Sequence, residues 1–213
     1  YCVGLGDAFR GHLKPDERNE RSTLYHNTGG NRFADVSAEM GLEDYSWTGD
    51  AAPIDYNEDG WTDLYVLSMQ GHDELYENIG GRKFEKKSRD VFPKTPWGAM
   101  GIQVFDFDND GLVDLFLANG HPDDMIESYS RQVRYKEPLL LFRHDGKKLT
   151  NVSAEAGPVF KNLYPARGLA VGDFNNDGRI DVLVGNNGEA PVLLKNNAGD
   201  GHHWVGLKLQ GTA

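Results

Sequence analysis

One nine-residue pattern occurs three times in this chain of 213 residues, and it constrains the fold more than any other feature. It reads D-x-[DN]-x-D-G-x-x-D. The copies are Asp55-Tyr-Asn57-Glu-Asp59-Gly60-Trp61-Thr-Asp63, Asp106-Phe-Asp108-Asn-Asp110-Gly111-Leu112-Val-Asp114 and Asp173-Phe-Asn175-Asn-Asp177-Gly178-Arg179-Ile-Asp181. A strand-like apolar run follows each one, over 64–67, 115–117 and 182–184. Repetition on this scale means one supersecondary unit built several times and stacked.

The repeat extends past the acidic segment. Leu75-Tyr-Glu-Asn-Ile-Gly-Gly81 matches Leu24-Tyr-His-Asn-Thr-Gly-Gly30, with looser copies at 141–146 and 193–199. The segment 33–41 recurs as 149–157. Glycine-bearing openings, Trp47-Thr-Gly49, Trp97-Gly98-Ala-Met-Gly101 and Arg167-Gly168, precede the three loops. From the first loop Asp to the Leu of the next hairpin is 20 residues in units one and three and 35 in unit two. The 15 extra residues lie between Asn119 and Pro138 and read as an insertion on one rim. A short helix is expected there, from about Asp123 to Arg134.

Each unit reads as four short strands separated by Gly-Gly, Asp-Gly and Asn-Gly turn signals. No segment carries a long 3.6-residue apolar period, so helices are minor. Four-strand repeats of this length are the signature of β-propeller blades. The expected fold is therefore all-β, a β-propeller of four-stranded antiparallel blades. The blades are expected at 47–90, at 97–156 with the rim insertion 119–138, and at 165–210, with a partial blade at 23–40. That is about three and a half blades, below the usual ring of four to eight, so a partial ring or a fragment of a larger propeller is expected.

The loops suit a hard cation. Oxygens at positions 1, 3 and 5 converge when the loop wraps, Gly at position 6 allows the turn, and position 7 offers a carbonyl. Calcium, with six to eight oxygen ligands, is favoured over magnesium. The proposed ligands of three calcium sites are side chains of Asp55, Asn57, Asp59 and Asp63 with the Trp61 carbonyl; Asp106, Asp108, Asp110 and Asp114 with the Leu112 carbonyl; and Asp173, Asn175, Asp177 and Asp181 with the Arg179 carbonyl. The loop differs from an EF-hand, which carries a bidentate Glu at position 12 where this chain has Val66, Leu117 and Val184. A strand follows instead of a helix, which excludes a helix pair opening on calcium. Metal-free hairpin turns are the alternative reading.

These loops, the Trp-Gly-Ala-Met-Gly type openings and the Leu-Tyr-x-Asn-x-Gly-Gly hairpins resemble FG-GAP/VCBS repeats, found in integrin α-subunit propellers, some lectins and many secreted bacterial proteins. Phe116-Leu-Ala-Asn-Gly-His-Pro122, Leu140-Leu-Phe-Arg143, Val152-Ser-Ala-Glu-Ala-Gly157 and His203-Trp-Val-Gly-Leu-Lys-Leu-Gln-Gly211 are similar to one subset, the ASPIC/UnbV, cartilage acidic protein-like, group. The resemblance implies a seven-bladed propeller in the full protein, secretion and no enzymatic activity. It also implies a further C-terminal module after Ala213 and a disulfide partner upstream of Cys2, with a plain free thiol as the alternative.

The formal charge of −11 disfavours nucleic-acid and anionic-membrane partners, and no apolar run is long enough for a transmembrane helix. Eleven of the 33 acids lie in the three loops, so three Ca²⁺ would leave a charge of −5. The first function expected is a secreted, non-enzymatic, calcium-stabilised propeller for protein or glycan binding or adhesion. Tyr129, Arg131, Arg134 and Tyr135 of the insertion are its candidate contacts, being residue types enriched at interface hot spots. A structural subunit self-associating through open blade edges is the second. A hydrolase-like enzyme with a site on the propeller face is the third, although His-Glu-x-x-His and Gly-x-Ser-x-Gly are both missing. Satisfied surface histidines are the expected reading of His202-His203 and of a speculative approach of His121 to His144.

Overall fold

A computed structural model describes residues 21–199 except 43, 70, 71, 93, 94, 96, 97, 129 and 132. The expectations for Cys2, His202-His203, Trp97, Tyr129 and the fourth strand of the last unit lie outside the described residues.

The apolar runs form strands, and the acidic segments form the hairpin loops between them. A first hairpin pairs β1 (Tyr25–Gly29) with β2 (Arg32–Asp35). Blade one follows as β3 (Thr48–Ile54), β4 (Asp63–Ser68), β5 (Glu74–Asn78) and β6 (Phe84–Lys86), then a single helical turn, α1 (Ser88–Val91). Blade two begins with β7 (Ala99–Phe105) and β8 (Asp114–Asn119). After the insertion, β9 (Glu137–Pro138) leads into β10 (Leu140–His144) and β11 (Leu149–Asn151), which complete the four-stranded sheet β7-β8-β10-β11. Then β12 (Leu163–Tyr164) pairs β9, and β13 (Ala166–Gly172), β14 (Asp181–Asn186) and β15 (Val192–Leu194) form blade three. All pairings are antiparallel. The chain is an all-β, partial β-propeller. Among the described residues, no helix is long and apolar enough to cross a membrane.

The first strands of successive blades, β3, β7 and β13, lie side by side. The glycines of the openings make this approach possible. A Cβ on Gly49 would stand 2.5 Å from the Ala99 carbonyl oxygen, and one on Gly101 would stand 3.0 Å from that of Arg167.

Because strand side chains alternate, each blade turns one set of residues to the sheet before it and the other to the sheet after it. Leu64, Val66 and Tyr76 pack with Leu42 on the hairpin side of blade one. Tyr65, Leu67 and Leu75 meet Leu115, Leu117 and Phe142 between blades one and two. Phe116, Ala118 and Leu141 meet Val182 and Val184 between blades two and three. The cores therefore sit between the sheets, as they do in stacked repeats.

Two expectations are corrected. The helix expected over 123–134 is only a 3₁₀ turn, Ile126–Ser128. Among the described residues of that stretch the buried apolar side chains are Ile126 and Val133, seven residues apart with mostly polar residues between them, so no continuous apolar stripe of described residues holds a helix to the core. The insertion is instead tied at its base by a Gly120–Lys136 bridge and by Arg167, which donates to the Gly120 and His121 carbonyls. Nor are His121 and His144 the satisfied surface histidines expected: both are buried, and neither ring nitrogen of His144 is hydrogen-bonded among the described residues. His144 sits at the acidic-loop end of β10, where its N–H meets Asp114, whereas His121 follows the opposite end of β8.

Candidate functional site

The three acidic loops adopt one backbone. In each, position 4 is left-handed, at Glu58 (φ 56°), Asn109 (φ 58°) and Asn176 (φ 58°). Position 6 is left-handed too, at Gly60 (φ 83°), Gly111 (φ 92°) and Gly178 (φ 83°), so glycine there is a conformational requirement.

Hydrogen bonds repeat with the backbone. The first Asp accepts from the N–H groups of positions 5 and 6. The distances are 3.1 and 3.0 Å at Asp55, 3.1 and 2.9 Å at Asp106, and 3.0 and 2.7 Å at Asp173. The fifth-position Asp accepts from position 7 at 2.8, 2.9 and 3.1 Å. The last Asp is buried in all three loops and closes two strands at once. Asp63 accepts from Tyr56 and Asn78, Asp114 from Phe107 and His144, and Asp181 from Phe174 and Asn196.

This arrangement gathers negative charge. Carboxylate oxygens of Asp106, Asp108 and Asp114 lie within 4.8 Å of one another. Burial pushes Asp114 up to about 7 and Asp63 up to about 6 from an ordinary value of 3.8, against the pull of their backbone hydrogen bonds. Burial also raises Asp108, with Asp110 adding to it and Arg143 opposing. Asp108 Oδ1 is buried with no hydrogen-bond partner among the described residues. Crowded, desolvated carboxylates with a spare inward oxygen fit a hard cation, whose charge would remove the repulsion.

The loops differ at position 3, and the difference is matched from outside the loop. Asn57 and Asn175 each accept from position 5 and donate back to the carboxylate there, at 3.1 and 3.0 Å. Asp108 has no amide hydrogen to donate. Arg143 on β10 serves that loop instead, with Nε 2.9 Å from Asp108 and Nη2 3.0 Å from Asp110. The same place on β5 holds Glu77, bonded to Tyr56 and Asn57, and the place just after β15 holds Lys195, 3.3 Å from Asp177. Sequence reasoning missed these three. Their signal was the fixed offset two residues after Leu75, Leu141 and Leu193. His144, read from the sequence as a satisfied surface histidine, instead has a buried ring with neither nitrogen hydrogen-bonded among the described residues, and it lines a cavity between loops one and two with Asp55 and Glu58.

In the insertion, Arg131 and Arg134 are exposed. Tyr135 faces inward. Its hydroxyl accepts from Asn187 at 3.0 Å and its ring lies 5.6 Å from the Arg167 guanidinium carbon, so it braces the insertion against blade three.

Comparison with known proteins identifies the repeats. An FG-GAP-like repeat matches residues 55–117, and an FG-GAP repeat matches 166–204. Cartilage acidic protein 1 of Mus musculus is 26% identical over 201 residues, covering 89% of this chain and 29% of its own length. The Homo sapiens protein of that name is also 26% identical over 201 residues, covering 89% of this chain and 28% of its own length. That of Xenopus tropicalis is 24% identical over 209 residues, with shares of 89% and 29%. The chain spans less than a third of the length of these curated relatives.

Proposed function

We propose, for a chain that carries FG-GAP repeats, an extracellular, non-enzymatic propeller module that calcium stabilises and that presents a rim to a protein or glycan partner. The observation that supports it best is the shared loop backbone, with the Asp106, Asp108 and Asp114 oxygens gathered within 4.8 Å. The ligands are the fifteen residues named from the sequence, five to each loop. When bound, calcium supplies positive charge that offsets carboxylate repulsion. The first Asp holds the turn, the buried last Asp ties the loop to the third strand, and Glu77, Arg143 and Lys195 adjust the charge beside each loop.

The extracellular reading rests on the repeats and on similarity to cartilage acidic protein 1. It suits the loops, since extracellular modules bind calcium at about 10⁻⁴–10⁻³ M. At millimolar calcium each site would stabilise the fold by up to roughly 1–2 kcal/mol. Isothermal titration with calcium should give three sites, and Asp106→Ala should remove one of them. The unfolding midpoint should rise in calcium and fall in chelator. No calcium heat, or a stoichiometry that ignores Asp106→Ala, overturns the metal reading. Arg131 and Arg134 are the exposed contact candidates of the rim, with Tyr129 beside them in sequence and Tyr135 as their support.

Self-association is a second reading. It is favoured by the exposed apolar side chains of blade three, Phe174, Leu183 and Leu193. Light scattering with and without chelator tests it, and a monomer under both conditions rejects it.

A further inference from the structure

His144 stands where blades one and three carry asparagine. Asn78, His144 and Asn196 each lie three residues after the third-strand leucine, Leu75, Leu141 and Leu193. Each donates its backbone N–H to the last Asp of its loop, at 2.7, 2.8 and 2.8 Å. The side chains then diverge. Asn78 donates to the Thr62 carbonyl at 3.0 Å and accepts from the Gly81 N–H at 2.8 Å. Asn196 donates to the Phe107 carbonyl at 2.7 Å and accepts from the Ala198 N–H at 2.9 Å. The ring of His144, a residue 1% exposed, does neither. A buried imidazole with both nitrogens unpaired is costly, and a polar neighbour would remove that cost.

That ring lines a cavity of about 420 Å³ between loops one and two. The walls are of two kinds. Ile54, Val104 and Val113 are apolar, whereas Asp55 and Glu58 bring carboxylates. Among the described residues no lysine or arginine lines the cavity. Arg143, next to His144 in the chain, is held by Asp108 and Asp110 on loop two. Glu58 is exposed, belongs to none of the calcium ligand sets and forms no ion pair among the described residues. Asp55, Glu58, Asp59 and Asp63 carry a formal −4, so one Ca²⁺ in loop one leaves −2.

An occupant that fits must bring positive charge to Glu58, an N–H to the imidazole and an aliphatic stem to the apolar walls. A metal ion supplies no stem, and His144, Asp55 and Glu58 do not gather into a metal-sized cluster. An alkylguanidinium supplies all three, because its planar fork carries five N–H donors and is weakly hydrated.

We propose that the cavity between loops one and two binds an alkylguanidinium group, its stem on Ile54, Val104 and Val113 and its fork between Glu58 and His144. The test is an NMR titration of the Gly60 and His144 amides with butylguanidinium and its neutral counterpart butylurea. Calcium is held constant and saturating, so that filling of the loops is read separately. Butylguanidinium should bind saturably and butylurea at least tenfold more weakly, as loss of a charge-assisted hydrogen bond predicts. Glu58→Gln should weaken butylguanidinium roughly three- to tenfold. His144→Phe should do the same, with His144→Asn as the milder change to the sister residue. Thr62→Phe, a plug at an exposed lining position, should abolish binding. Nα-acetyl-arginine methylamide separates the sources of the group. Binding at least as tight as butylguanidinium's assigns it to an arginine of a protein partner, and weaker binding assigns it to a free guanidine. No saturable binding of butylguanidinium by the parent protein up to ~50 mM overturns the proposal. So does equal binding of butylurea, or unchanged affinity in Glu58→Gln, in both His144 variants or in Thr62→Phe with unchanged circular dichroism.

Discussion

Blades two and three are built from the same repeat, yet among the described residues blade two is covered on both faces and blade three on one. Two residues past the last loop Asp stand Tyr65, Phe116 and Leu183, which are 0%, 3% and 43% exposed. The matching third-strand leucines, Leu75, Leu141 and Leu193, are 0%, 5% and 52% exposed. One residue past the first loop Asp, Tyr56 and Phe107 join interblade cores while Phe174 is exposed. The repeat sets the direction of each side chain, and the neighbouring sheet decides whether that direction is inside. A blade has no core of its own.

The largest effect should come from the covered face. Phe116→Ala removes a ring packed against Phe160 and blade three, and a buried Phe→Ala change costs about 3–5 kcal/mol. Urea unfolding at fixed calcium measures it. A loss below about 1 kcal/mol would mean that the space between blades two and three is not a packed core, and the contrast with blade three would disappear.

Next comes a titration that only blade one carries. Asp73 is fully buried, accepts from the Ser68 N–H at 2.9 Å and from the Tyr65 hydroxyl at 3.1 Å, and is pushed by burial from 3.8 to about 7. The matching positions are Leu139 in blade two and Pro191 in blade three, neither of which titrates. The folded chain holds this proton more tightly than the unfolded chain. The resulting stability is fully present below about pH 4 and is lost as pH rises through about 7. Asp73→Asn keeps the neutral form, so its stability relative to the parent should climb by up to about 4 kcal/mol between pH 4 and 8. Parallel pH profiles of the two proteins would show that Asp73 is solvated.

Much of this was legible in the sequence, because spacing and turn chemistry are local. The loops and the strands flanking them follow from residues within a few positions of one another, whereas the reason for Gly49 and Gly101 lies at Ala99 and Arg167, far along the chain. What was not legible is non-local. Glu77, Arg143 and Lys195 occupy one structural position with three different chemistries, so no motif flags them, and their loops lie some 20 to 35 residues away. Face assignment was equally hidden. The runs 64–67, 115–117 and 182–184 are apolar at every residue, as doubly covered strands are, and an uninterrupted run does not say which face lacks a neighbour. The insertion misled for a related reason. Its polar spacing allowed a helix, but the docking of Tyr135 on Arg167 and Asn187 decided its path.

A smaller effect separates the loops of the two blades. Asp108→Asn gives loop two the third-position amide of loops one and three and takes one carboxylate from Arg143. Calcium affinity at that loop should fall by roughly three- to tenfold, equivalent to about 0.7–1.4 kcal/mol. The sites of blades one and three should be untouched. Competition titration against a chelator dye resolves the three sites. A uniform weakening of all of them would mean that the loops are coupled through the blades.

The smallest effect tests the open face itself. Leu183 stands where Phe116 stands in blade two, but with 43% of its surface exposed it has little transfer free energy to lose. Leu183→Ala should therefore cost about 0.5 kcal/mol or less, as most surface substitutions do. A covered leucine at the same place would cost about 2–5 kcal/mol. The measured value thus reports whether anything lies on this face in solution. If the cost is large and grows with protein concentration, a second copy covers the face. If it is large and independent of concentration, the cover comes from the same chain. If it is small, blade three presents an open apolar face, and the contrast with blade two holds in solution.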